Sequence, residues 1–125
     1  MSKYAQVASK AAAKCRAGAL ANDAWGESAQ EIFPDQEASR KKGCPRSAFL
    51  GLVEEGMIRE VEAGKHLRSN VNKQHALDAV KLLKAEPGLA QSPAQLWQRV
   101  IYPTPKKYNQ QMHVVVALWE NGDIV

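Results

Sequence analysis

The sequence predicts an all-α fold, a compact bundle of about six helices with room for one short β-hairpin around residues 57–69. Three observations carry this. Apolar residues recur at three- and four-residue spacing through most of the chain. Glycine or proline closes most of these stretches. Strand-like alternation is confined to Met57-Ile-Arg-Glu-Val61, and one β-branched run, Val114–Val116, fits a buried strand as well as a helix.

The first helix spans about Ser2 to Ala17. Tyr4, Val7, Ala8, Ala11, Ala12 and Cys15 share a face, Ser2 can cap the start and Gly18 can end it. The second runs from about Asp23 to Phe33, capped by Asn22 or Asp23 and stopped by Pro34. Pro34–Gly43 is polar and unpatterned and reads as the longest loop. The third helix begins at Pro45, whose missing N–H is harmless in a first turn, and ends near Glu55 before Gly56. The fourth covers about Asn72–Ala85, with Ala76, Ala79, Val80 and Leu83 inward. The fifth opens on Ser92-Pro-Ala-Gln95, a capping-box pattern. The sixth spans about Asn109–Asn121 and closes on Gly122; helical spacing from Met112 to Trp119 favours helix over strand there. The bulky stripe residues Phe49, Leu52, Trp97, Val116 and Trp119 form the expected core, and all three tryptophans read as core anchors.

A chain of 125 residues, 45% hydrophobic and 24% charged, suits a single helical domain over residues 1–125. Its longest apolar runs, Ala48–Val53 (counting Gly51) and Val114–Trp119, are far short of the roughly 20 residues a membrane span needs. Lys10, Lys14 and Arg16 interrupt what would be the apolar stretch of a secretory signal. Residues 1–22 carry four bases and no acid, as a transit peptide does, but the pattern continues into an ordinary helix. Cys15 and Cys44 lack metal or redox spacing, so two free thiols in a reducing cytoplasm are expected, with no cofactor. His66, His75 and His113 are too far apart in sequence to suggest a metal site.

The net charge of +4 hides blocks of alternating sign, which often pair within one fold. The stretch Phe49–Ile58 also echoes Val115–Ile124, with Leu, Glu, Gly and Ile at equal offsets, and both follow basic clusters, Arg40-Lys-Lys42 and Lys106-Lys107. The shared content is a helix end: an inward Leu, a terminating Gly and an apolar residue folding back.

Candidate chemistry centres on Ser39–Arg46. Arg40, Lys41, Lys42, Gly43 and Arg46 make a basic, glycine-containing loop at a helix N-terminus, an end attractive to anions. The third helix carries its charges backwards, with Arg46 in its first turn and Glu54 and Glu55 in its last. Each such placement costs about 0.3–1 kcal/mol unless compensated. Either an internal partner, such as the acidic segment 23–37, or an external anion provides the balance. The external candidates are phosphate, a nucleic-acid backbone and an acidic protein surface. Cys44 is a weak candidate nucleophile, since a helix start flanked by cations is the setting of reactive thiols, but no histidine is tied to it by spacing.

Two resemblances add to this. Leu52–Val61 with Gly64-Lys-His-Leu-Arg68 resembles the recognition-helix end and wing of winged-helix DNA-binding proteins, which implies DNA binding. Ser39–Ile58, the closing Ala117-Leu-Trp-Glu-Asn-Gly122 and the first helix together resemble a small bacterial family of unknown function. That likeness implies a single-domain layout and a bacterial origin. The expected function is therefore a non-enzymatic binding or interaction module, with a winged-helix-like DNA binder or a Cys44 enzyme as alternatives.

Overall fold

A computed structural model describes residues 2–64 and 71–125. It is all-α, with α1 Lys3–Arg16, α2 Ala21–Ile32, a four-residue α3 Glu37–Arg40, α4 Gly43–Glu54, α5 Val71–Ala85, a 3-10 turn Pro87–Gln91, α6 Pro93–Ile101 and α7 Gln111–Glu120. No helix among the described residues is long and apolar enough to cross a membrane.

Local chemistry sets the ends. Ser2 Oγ accepts from the Tyr4 amide at 3.1 Å and Ser92 Oγ from the Gln95 amide at 3.2 Å, each satisfying a first-turn donor. Leu20, not Asn22 or Asp23, occupies the cap position of α2 and offers no side-chain bond. Three helices end alike: Gly18, Gly56 and Gly122 take positive φ, and the next residue's amide returns to a carbonyl five residues back. These bonds are Ala19 to Lys14 (3.0 Å), Met57 to Leu52 (2.9 Å) and Asp123 to Leu118 (2.9 Å).

The predicted loop Pro34–Gly43 contains α3, held by its own i,i+4 pair Lys41–Glu37 (2.6 Å). The anticipated hairpin is replaced by a different pairing. Residues 57–64 form no strand; Ile58 instead makes an antiparallel bridge to Ile124 across 66 positions. Residues 65–69 of that expected hairpin lie outside the described residues.

The centre is made by α4 and α7. Every residue from Ala48 to Val53 is buried, as is every residue from Gln111 to Leu118 except His113. Helix α1 packs on α2 and α7, while α5 packs on α4 and α6. Phe49, Leu52, Trp97 and Val116 are buried as expected, but Trp119 is only partly so; the preceding Leu118 turns fully inward.

The sequence echo corresponds to a reciprocal arrangement. In chain order, α1, α2 and α4 precede the first glycine-terminated end of the echo, and α5, α6 and α7 precede the second. The first helix of each half lies on the last helix of the other, α1 on α7 and α5 on α4. Ala8, Ala11 and Ala12 correspond to Ala76, Ala79 and Val80, and the buried Trp25 to Trp97. The two glycine-terminated ends meet at the Ile58–Ile124 bridge, flanked by Arg59 N–H to Asp123 O (2.6 Å) and Val125 N–H to Met57 O (3.0 Å). Such mutual contacts are what a two-fold relation between halves generates.

Candidate functional site

Each cation of the basic loop has a partner within the fold. The Arg40 guanidinium donates to the carbonyls of Phe33 (3.1 Å) and Pro34 (3.0 Å), closing the C-terminal end of α2. Lys41 pairs with Glu37, and both are exposed. The Lys42 ammonium lies 5.9 Å from the centre of the Tyr4 ring. Tyr4 in turn donates to Ser39 O (3.2 Å) and packs on Phe33, so α1 anchors this loop. Arg46 donates to Asn22 Oδ1 at 2.5 Å. Gly43 opens α4 and is exposed; Lys42, at the cap position, supplies no side-chain bond to that end.

At the other end of α4 the reversed charges meet a cation from α5. Lys73 Nζ lies 2.8 Å from Glu54 and 2.6 Å from Glu55, and these carboxylates raise its pKa above the ordinary lysine value. Charge blocks pair elsewhere too: Lys10 and Lys14 of α1 both reach Glu31 of α2, at 3.2 and 2.8 Å. Residues 48–53 are enclosed, so that stretch of α4 has no side chain to lay in a DNA groove. Most of the wing-like residues, 65–68, lie outside the described residues.

Cys15 and Cys44 are free thiols on different helices. Burial pushes the Cys15 thiol up, against the pull of Arg16. Cys44, the second residue of α4, is half-buried and lines a cavity of about 240 Å³ between the starts of α4 and α5 and the stretch leading into α7. The polar lining includes Asn72, His75, Lys106 and Lys107. Sequence spacing gave no hint of this: His75 is 31 positions from Cys44 and Lys106 is 62. The only signal was the Lys106-Lys107 pair in the echo.

The cavity wall is pinned by an aromatic row. Trp97 meets His75 edge-on, ring centres 5.1 Å apart, and packs on Tyr108 at 5.4 Å. Trp97 Nε1–H donates to the Lys106 carbonyl at 3.2 Å, fixing the backbone there. The Tyr108 hydroxyl accepts from the His113 amide at 2.8 Å and is also hydrogen-bonded to His113 Nδ1. Burial pushes that hydroxyl up to about 12, with the amides of His113 and Met112 opposing. Asn72 Oδ1 accepts from Gln111 Nε2 at 3.1 Å, and Gln111 Oε1 accepts from the Asn109 amide at 2.9 Å.

His75 Nδ1 is buried with no hydrogen-bond partner among the described residues. A proton there would be a buried, unsatisfied donor, so the neutral ring carries its hydrogen on Nε2. Burial also holds this imidazole below its ordinary pKa; Lys106 adds to the effect and Asp78 opposes it. In that tautomer the ring, which lines the cavity, has its N–H at Nε2 and its lone pair at the buried Nδ1. Among the described residues, no group of three or more His, Cys, Asp or Glu is placed to hold a metal ion.

No curated protein and no solved structure matches this chain. Over residues 1–125 its sequence does match DUF6979, described only as a family of unknown function, and the chain belongs to that family.

Proposed function

We propose that this chain is a non-enzymatic binding module that takes an anionic partner on the face where α4 begins. The Arg40–Arg46 loop supplies one set of cations and Lys106-Lys107 the other. The observation that carries this reading is the lining of the cavity beside α4: two lysines and other hydrogen-bond donors, with no carboxylate among its described residues. The uncapped start of α4 adds to the attraction. The loop cations already have internal partners, but those of Lys41 and Lys42 are an exposed carboxylate and the face of the Tyr4 ring at 5.9 Å, contacts that an anion can displace at little cost.

The test is binding of a polyphosphate chain across a salt series. Affinity should fall linearly on a logarithmic scale, with a slope set by the phosphates contacted. Lys41→Ala with Lys42→Ala should weaken binding and flatten that slope, with stability changed by less than about 0.5 kcal/mol. A clear stability loss with unaltered polyanion binding refutes the reading and leaves these residues as structural pairs.

One observation favours a second reading, an enzyme using Cys44: His75 lines the same cavity. The tautomer argued above opposes it, because the lone pair that would take the thiol proton is at the buried Nδ1. Alkylation of Cys44 against pH decides between them, an ordinary thiol profile excluding a His75-activated nucleophile.

A further inference from the structure

The 240 Å³ cavity adjoins a larger one of about 560 Å³ between α5 and α6, the two sharing Val71, His75 and Lys106 in their lining. Their chemistry differs. The smaller side is lined by Lys106 and Lys107, with their ammonium groups, and by His75, with its Nε2–H. The carbonyl of Asn72 is committed to Gln111, which leaves its NH2 group as the free end. These four groups are donors, two of them charged; Cys44, Asn109 and Gln111 also line this side. The larger side is lined by Val71, Val100 and Ile101 together with the polar Gln74, Asp78 and Thr104. Asp78, the one carboxylate among its described lining residues, already accepts from Gln74 Nε2 at 2.9 Å.

We infer that the adjoining cavities form a site for an organic phosphomonoester, its phosphate held by Lys106, Lys107, His75 and Asn72 and its apolar body lying against Val71, Val100 and Ile101. This rests on the anion-binding reading above and names its ligand. A phosphate dianion has enough acceptor oxygens for several donors at once, and lysine serves it as a mobile point charge. A planar carboxylate would leave part of that donor set unused. Inorganic phosphate would leave the apolar side empty, so the ester is the better fit. Lys106 joins the two halves of the site, and its backbone is held by Trp97.

The probe is phenyl phosphate, titrated into the full chain by calorimetry and followed by NMR of the Asn72 side-chain NH2. Saturable binding that shifts this signal is expected, with inorganic phosphate weaker by about tenfold because it buries no apolar surface. Lys106→Gln with Lys107→Gln should weaken phenyl phosphate by about tenfold or more. Both lysines are exposed, so the melting temperature should not move. Lys81→Gln, at an exposed α5 lysine that lines neither cavity, should leave phenyl phosphate binding unchanged. Binding that survives the Lys106/Lys107 change overturns this site. So does absence of phenyl phosphate binding while polyphosphate still binds through Lys41 and Lys42, and in that case the binding-module reading stands. Failure of both ligands to bind overturns both.

Discussion

At the scale of single residues, histidine environment makes a pH prediction. Burial lowers the pKa of both His75 and His113. Below about pH 6.5 the unfolded chain therefore takes up protons that the folded chain refuses. Stability should fall as pH drops through that range and level off once the folded imidazoles also titrate. Thermal midpoints between about pH 7.5 and about pH 5 measure this, and His75→Gln should reduce the slope. The groups facing His75 are Lys106, which adds to the effect, and Asp78, which opposes it. An unchanged slope in the variant means that His75 titrates alike in both states. None of this was legible in the sequence, where His75 is one polar residue on an amphipathic helix; its buried Nδ1 arises only when α6 lays Trp97 across it.

At the scale of elements, the contact between α4 and α5 depends on Gly51. A Cβ placed there would lie 2.6 Å from Lys73 Cβ and 2.7 Å from Lys73 Cα, closer than the packed helices allow. Gly51→Ala should therefore cost about 1–3 kcal/mol, although alanine is the better helix former. Denaturant midpoints check it, and a stabilised variant would mean that α5 can move aside freely. The same close approach brings Lys73 to Glu54 and Glu55 and so resolves the reversed charges of α4. Sequence reasoning saw the electrostatic imbalance correctly. It sought the compensating partner in the acidic segment 23–37, because a lysine in another helix has no marker until the two helices pack.

At the scale of the molecule, the two halves are closed by the last residues of the chain. Ile124 is buried and bridges Ile58. Asp123 holds Arg16 at 3.0 Å, and Arg59 donates to the carbonyls of Gly122 (3.1 Å) and Ile124 (3.2 Å). Removing residues 123–125 should cost about 2–5 kcal/mol, the range of a buried large-to-small core change, since it takes out one buried apolar side chain and several bonds between the halves. Leu52→Ala, at the centre of α4, should cost a similar amount, about 2–5 kcal/mol. Chemical denaturation measures both. A truncated chain as stable as the full one would show that the halves are held by α4 and α7 alone.

The sequence by itself determined the helical class, most helix ends and most of the core. These are local properties: Ser2, Ser92, Gly56 and Gly122 act on neighbours within a few residues, and a stripe at helical spacing identifies its own inward face. It also showed the echo between residues 49–58 and 115–124. Tertiary structure alone decided that these two ends meet, that Leu118 rather than Trp119 turns fully inward, and that Ile58 pairs with Ile124 instead of within a hairpin. It alone brought Cys44, Asn72, His75 and Lys106-Lys107 around one cavity. The reason is physical. Local conformational preference is written in residues a few positions apart, whereas a site is assembled from groups tens of positions apart whose meeting depends on which helices bury which faces.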